Sequence, residues 1–344
     1  MGRAFQVTLK RTGRSFAVEP GERILDAALR QEVWLPHACR GGTCGSCSAK
    51  VVEGVVNHGD AERPRLRDSE ARLCVALALS DLTLDVEEQP GPQIQTARRM
   101  PARVIEIIRT SSDVVVLTLK FPPTETLNFG PGQYVALLAP DGRTRPFSIA
   151  NAPRRDGTIE LHIGRIPGGA FTGYVHDELQ PGTILRLEGP FGSFGLREES
   201  ERPAVLIAGG TGIAPIKAIL EAAARSASPR RRMYVYWGSR RPEGLYALDA
   251  VAAAAASAGA ICFRPVVSEA GGDDAWMGRT GLVHHAVLED LPNLSEFEAY
   301  VCGGPALVEA ARRDLTGRAG LAPDCFFADA FHRLSPVPEQ ASTA

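Results

Sequence analysis

The stretch "PHACRGGTCGSCSAKV", Pro36 to Val51, places three cysteines within nine residues, four residues separating Cys39 from Cys44 and two separating Cys44 from Cys47. No other feature limits the fold so tightly, because whatever three crowded thiols hold must be built into the local backbone. A zinc knuckle, a disulfide patch and an iron–sulfur site all use such crowding. The first residues lack the apolar core of a signal peptide, and no apolar run reaches the roughly 18 residues that a membrane span needs. The expected setting is therefore the cytoplasm, away from any membrane, where clustered cysteines more often bind metal than pair with one another. An odd total of seven cysteines fits that expectation.

A fourth cysteine, Cys74, follows Cys47 after 26 intervening residues, in "EARLCVALALSDLTLDV". Structural zinc usually draws its ligands from two short C-x2-C or C/H hairpins. Here three candidates share one loop and the fourth is remote, the C-x4-C-x2-C…C spacing of a 2Fe–2S centre. Gly41, Gly42 and Gly45 let the loop fold tightly and aim amide N–H groups at sulfur. "CRGGTCGSC" resembles the loop of plant-type ferredoxin domains residue by residue, over about the first 90 residues. The resemblance implies a β-grasp fold with Cys39 and Cys44 on one iron and Cys47 and Cys74 on the other.

A chain of 344 residues can hold two or three domains. A formal charge of -2 with 44% hydrophobic residues describes an ordinary globular protein and leaves no electrostatic footprint for nucleic acid. "EEQPGPQIQTARRMP", Glu87 to Pro101, has no hydrophobic period and reads as a linker, and "LREESERP", Leu196 to Pro203, is a charged break. The expected domains are 1–92, 99–198 and 202–335, in a monomer. The first should open with a hairpin turning at Thr12-Gly13, then a helix presenting Ile24, Leu25, Ala28 and Leu29. The second is a run of strands separated by Gly or Pro, with one helix at "AFTGYVHDEL", which predicts a closed antiparallel barrel. In the third, strands and helices alternate strictly, predicting a parallel sheet with covering helices.

Within the middle segment, "TRPFSIANAP" supplies Arg145, Pro146, Phe147 and Ser148. It resembles the R-x-[YF]-S element of the ferredoxin–NADP reductase family, and "FGPGQYVAL" and "IGRIPGGAFTGYVHDEL" match the same family in order and distance. The resemblance implies a bound flavin with Arg145 at its phosphates, Phe147 against its ring system and Ser148 near N5. A planar guanidinium suits phosphate, and an aromatic side chain covers an apolar ring. Gly169, Ala170, Phe171 and Thr172 should offer backbone N–H groups and a hydroxyl at a helix N-terminus, suited to pyrophosphate. By family position, His162, Ile163 and Gly164 of "ELHIG" join the flavin contacts, His162 facing the ring. The order of the three modules resembles FAD enzymes, so FAD is expected over FMN.

"AVLIAGGTGIAPIKAIL" reads as strand, glycine turn and helix, with Gly210, Thr211 and Gly212 open to a phosphate and Pro215 near the helix start. It ends in proline where a Rossmann motif has glycine, as the reductase family's G-T-G-I-A-P does. No G-K-[ST] follows, which removes support for a nucleoside triphosphatase. Cys302, Gly303 and Pro305 of "VCGGPALVEAA" resemble the family's C-G-x-P, whose cysteine lies beside nicotinamide C4 and flavin N5. Ser239, Arg240 and Arg241 of "YWGSRRPEGLY" fall where a 2′ substituent should lie, and both NADH and NADPH remain open. The terminal "FFADAFHRL" resembles the end of bacterial reductases of this module order. That resemblance implies Phe331 stacking over the flavin and Asp329 positioning groups or managing a proton near N5, while Phe326 and Phe327 read as core. Ser148, Cys302 and Asp329 are the catalytic candidates.

Over nearly the whole chain the resemblance is to reductase components of multicomponent bacterial oxygenases, and similarly to reductases serving deoxysugar-forming dehydratases. It implies that electrons pass from NAD(P)H through FAD and a 2Fe–2S cluster to an acceptor protein. A Rieske-type aromatic-ring oxygenase is the first expectation for that acceptor and a dehydratase the second. A redox-sensing binding module is the rival from another class.

Overall fold

The structure, a computed structural model, describes residues 3–37, 42, 45–58, 69–88, 97–139, 142, 144–197, 199–225, 231–257, 261–271 and 276–331. Its N-terminal part pairs β1 (Phe5–Leu9) and β2 (Ser15–Val18) as the expected hairpin, with Gly13 at φ 72° taking the turn. Helix α1 (Ile24–Arg30) follows, then β3 (Ser48–Glu53), β4 (Val56–Asn57), β5 (Glu70–Arg72), β6 (Leu77–Ala78) and β7 (Leu82–Asp85). The mixed sheet runs β2-β1-β7-β3-β5, with β1 and β7 parallel. Ile24, Leu25 and Ala28 of α1 bury against Val7, Leu9, Phe16 and Leu84 of the sheet, which makes the β-grasp arrangement. Cys47 and Cys74 belong to this same core.

The middle part comprises β8 (Arg98–Arg109), β9 (Val114–Lys120), β10 (Tyr134–Leu138), β11 (Thr144–Ser148), β12 (Thr158–Gly164), α2 (Ala170–Asp177) and β13 (Ile184–Phe191). The strands are ordered β11-β10-β13-β8-β9-β12, all antiparallel, and a bridge between Ile149 and Leu161 joins the two ends into a barrel. Strand alternation sends Ile159, Leu161 and Ile163 of β12 into the barrel core and leaves Glu160, His162 and Gly164 on its outer face. One expectation is corrected here. The stretch read as linker up to Pro101 already belongs to β8 from Arg98, where Met100, Ala102 and Val104 are buried and Arg99, Pro101 and Arg103 exposed. The period of two is present but disguised by proline and two arginines.

The C-terminal part alternates β14 (Ala204–Gly209), α3 (Ile213–Arg225), β15 (Met233–Ser239), α4 (Leu248–Ser257), β16 (Ile261–Val267), β17 (Arg279–Thr280), α5 (Val283–Asp290), β18 (Glu298–Gly303), α6 (Pro305–Arg318) and β19 (Phe326–Ala330). All neighbours in the sheet β17-β16-β15-β14-β18-β19 are parallel. β14 and β18 are almost wholly buried, as strands covered on both faces must be. The order reverses between them. In open α/β sheets the crevice beyond the carboxyl ends of the strands at such a reversal is where ligands bind. Phe326 and Phe327, expected as core, open a strand that extends the sheet beside β18 and also carries Asp329. Among the described residues, no helix is long and apolar enough to cross a membrane.

Candidate functional site

The glycine turn after β14 and the end of β18 face each other across that reversal. Gly210 (φ 54°) and Gly212 form a single 3-10 turn, and a Cβ on Gly212 would lie 2.2 Å from the Cys302 carbonyl oxygen. Only glycine lets the turn press onto β18. Cys302 is fully buried and pairs in register with Asp329, itself 5% exposed, and the Phe331 amide donates to the Gly303 carbonyl at 2.8 Å. Thr211, Gly212, Cys302, Gly303, Asp329 and Phe331 therefore gather at the carboxyl ends of β14, β18 and β19. Burial pushes the Cys302 thiol well above its ordinary value, and the nearby Asp329 adds to that. Such a thiol stays protonated, so it suits packing and orientation and does not suit nucleophilic attack. Pro215 lies buried in the first turn of α3, and Pro305 opens α6.

On the barrel side, Ser148 ends β11 and is buried, Arg145 is half-buried and Pro146 exposed. The Phe147 ring lies 5.7 Å from that of Phe171, tilted by 34°. Helix α2 starts at Ala170 with Gly169 as its N-cap, and the first backbone bond into it is from Gly173 N–H to the Gly169 carbonyl. The amides of Ala170, Phe171 and Thr172 thus take no intrahelical bond. A Cβ on Gly169 would sit 2.8 Å from Thr172 Oγ1, so the cradle admits no side chain there. The Thr172 hydroxyl, expected as a ligand donor, instead donates to the Gly169 carbonyl at 3.2 Å and accepts from the Ile166 amide at 3.1 Å. It builds the loop and leaves the amides as the anion donors, a set that fits the pyrophosphate of a dinucleotide. At the end of β12, a Cβ on Gly164 would lie 3.4 Å from Thr211 Cγ2, which is where barrel and glycine turn touch.

His162 does not present a spare ring nitrogen to the cleft. Its Nε2 meets Glu160 Oε1 at 2.8 Å and its Nδ1 meets the Tyr246 hydroxyl at 2.7 Å. Strand alternation put it on the outer face, against the C-terminal domain, together with Glu160. Lys217 of α3 reaches Glu160 at 3.1 Å and Glu221 at 2.6 Å, and donates to the Ala150 carbonyl at 3.2 Å. Burial tends to raise the Glu160 carboxyl, but the His162 bond and the Lys217 charge outweigh it and bring it down to about 2. Burial lowers His162 against the pull of Glu160, and burial with the Glu160 charge raises Tyr246 well above its ordinary value. The consistent assignment is a neutral imidazole donating from Nε2 to Glu160 and accepting the Tyr246 proton at Nδ1. Glu160, Lys217, Glu221 and Tyr246 escaped the sequence reading. The signal present was a lone lysine amid the apolar "GIAPIKAIL" with Glu221 four residues on.

At the N-terminal domain, the sulfurs of Cys47 and Cys74 lie 3.1 Å apart, both buried. Gly42 and Gly45 adopt φ of 81° and 78°, and the Gly42 carbonyl accepts from Arg72. Cys39 and Cys44 lie outside the described residues. Two buried thiols side by side, with the left-handed Gly45 two residues before Cys47, are the donor type that one iron of a 2Fe–2S cluster takes. The loop that carries Cys47 touches both other domains. Ser46 Oγ donates to the Ala328 carbonyl at 2.6 Å, one residue from Asp329, and the His37 amide and carbonyl bond Ser193 at 2.9 and 3.0 Å.

Beyond β15, Arg240 and Arg241 are exposed. Ser239 packs so closely on Gly244 that a Cβ there would lie 1.9 Å from its hydroxyl oxygen, which fixes the turn that carries both arginines.

Three family models match in sequence: a 2Fe-2S iron-sulfur cluster binding domain over residues 7–79, an oxidoreductase FAD-binding domain over 101–195 and an oxidoreductase NAD-binding domain over 206–313. The chain is 38% identical to the CDP-6-deoxy-L-threo-D-glycero-4-hexulose-3-dehydrase reductase of Yersinia pseudotuberculosis, across 95% of this chain and 98% of that one. With the reductase component of phenol 2-monooxygenase from a Pseudomonas it shares 35% identity, across 90% and 89%. Among solved structures, the cytochrome P450 reductase of Amycolatopsis superposes with a TM-score of 0.75 at 34% identity, over 95% of this chain and 98% of that one. With three family models matched in order and relatives covered over nearly their whole length, the chain belongs to the ferredoxin–NADP reductase superfamily, in its family of three-domain oxidoreductases joining a 2Fe–2S domain, an FAD-binding barrel and an NAD-binding sheet.

Proposed function

We propose that the protein takes a hydride from NADH or NADPH where the barrel meets the glycine turn, and delivers the electrons singly through its cluster to a separate protein, the aromatic-ring component of a Rieske-type oxygenase. Bound FAD supplies the exchange between a two-electron donor and a one-electron carrier. The observation that carries the reading is the bond from Ser46 to Ala328, because it seats the cluster loop against the strand bearing Asp329, which pairs with Cys302. Donor and acceptor ends of the route then share one edge of the C-terminal sheet. In this reading the Ser148 hydroxyl and the Cys302 thiol orient the rings from opposite sides, Asp329 backs Cys302, and Phe331 covers the ring face. The setting is the cytoplasm and the unit a monomer.

A second acceptor, a deoxysugar-forming dehydratase, is supported by the 38% identity to the Yersinia reductase. The deciding experiment supplies NADH and the purified protein to a Rieske oxygenase component with its aromatic substrate, and in parallel to a dehydratase with its CDP-hexulose. Hydroxylated product in the first assay supports the proposal, and deoxysugar in the second assay alone replaces it. Failure of both, with cytochrome c still reduced, removes both acceptors. For the nicotinamide, replacing Arg240 and Arg241 together by alanine should cut NADPH-driven activity roughly 10- to 150-fold relative to NADH, the cost of losing a charge-assisted bond to phosphate. An unchanged ratio places the 2′ pocket elsewhere.

A further inference from the structure

A side-chain cluster outside the site just described has the donor set of a metal site. His284 and His285 occupy the first turn of α5, and Asp314 projects from α6. Adjacent helix residues do not face each other, yet these two rings lie 4.4 Å apart and both aim Nε2 at a single oxygen. His284 Nε2 is 3.4 Å and His285 Nε2 3.6 Å from Asp314 Oδ2. Charge-assisted hydrogen bonds would draw such groups to about 2.8 Å. The two histidine-to-carboxylate separations match edges of a coordination tetrahedron, about 3.3–3.6 Å for ligands roughly 2.0–2.2 Å from zinc, and all three donor atoms lie within 4.8 Å of one another.

Three further observations agree. His284 is 5% exposed and its Nδ1 is buried without a hydrogen-bond partner among the described residues, so they do not hold it as a hydrogen-bonded core histidine. The other carboxylate oxygen, Oδ1, accepts from Arg313 Nε at 3.0 Å, which orients Oδ2 as an outer-sphere partner orients a ligating carboxylate. The His285 side chain is 47% exposed, leaving an entry path and room for a water as fourth ligand.

We propose that His284, His285 and Asp314 bind a divalent transition-metal ion of zinc type, which ties α5 to α6 on the outer face of the NAD-binding domain. Two imidazoles and one carboxylate select zinc, cobalt or nickel over magnesium and calcium.

The test titrates untagged holoprotein, with its cluster cysteines occupied, with zinc by calorimetry, followed by metal analysis after dialysis. One zinc per chain beyond the iron is expected, with a raised unfolding temperature. His285→Ala, at an exposed position, should weaken binding about tenfold or more while the flavin and cluster spectra stay unchanged. Asp314→Asn, nearly isosteric, should do the same. If the parent protein retains no zinc, or if both variants bind it like the parent, the proposal is overturned.

Discussion

Two junctions hold the three domains, and they are built from different materials. Where the barrel meets the NAD-binding domain, a buried polar network of Glu160, His162, Lys217, Glu221 and Tyr246 crosses between them, and Ala152 and Ala150 add backbone bonds to Glu221 and Lys217. Where the ferredoxin domain meets its neighbours, the bonds among the described residues include a serine hydroxyl to a carbonyl, the paired Ser193 and His37 groups, and an exposed Glu87–Arg197 pair at 3.7 Å. The chemistry at each explains the contrast. Hydride transfer needs reacting atoms aligned closely, and a misplacement of about 1 Å can cost on the order of a hundredfold. A single electron tunnels and tolerates small displacements of its carrier. Directional buried charge therefore serves the first junction, and neutral hydrogen bonds with one exposed ion pair suffice at the second.

The largest expected effect separates the two. Replacing Cys74 with serine should lower cytochrome c reduction by more than about 100-fold, since even outer-sphere changes at metal sites cost 10- to 100-fold. Flavin reduction by NAD(P)H, followed in stopped flow, should persist. Equal loss of both would mean that the two junctions do not act independently.

Next in size, Cys302→Ala should slow flavin reduction by roughly 10- to 100-fold with FAD content and the cluster spectrum near normal, a loss of orientation and not of binding. A parent-like rate would remove Cys302 from the hydride junction.

Glu160→Gln sharpens the contrast by weakening the charged network alone. Lys217 keeps Glu221, so the expected cost is about 1.5–3 kcal/mol in denaturant unfolding, the range for a hydrogen bond to a charged group. The same network sets a pH dependence. The unfolded chain binds more protons than the folded one at both Glu160 and His162, so stability falls as pH falls. His162 contributes below about pH 6.5, and Glu160 between its ordinary 4.5 and about 2. Unfolding midpoints of parent and Glu160→Gln should converge at the acid end. Parallel curves would deny Glu160 that role.

The smallest effect belongs to the second junction. Ser46→Ala removes one neutral hydrogen bond, about 0.5–1.5 kcal/mol, and cytochrome c reduction should change less than about threefold. A loss comparable to that of Cys74→Ser would show the docking to be as exacting as the hydride geometry.

Much of this was legible before any coordinates. Local constraints write themselves into sequence. The cysteine spacing, the glycine turns of "GGTG" and "PGGAF", and the strict strand–helix alternation each demand particular residues within a few positions, because φ angles, close approach and burial period act locally. The three modules and their order followed from those, and the flavin and nicotinamide from the resemblance of their motifs to a known family. What tertiary structure decided was the use of residues whose partners lie far along the chain. His162 reads as a ring-facing histidine by position, yet becomes a strut because Tyr246 is 84 residues away and Glu160 shares its strand face. Thr172 looks like a ligand donor but closes its own loop. His284, His285 and Asp314 carry no recognisable spacing, since α5 and α6 bring them together only when both helices pack on one sheet face. A pattern records what neighbours in sequence must do, whereas a contact between distant residues is fixed by how layers stack, and no single stretch of sequence contains that information.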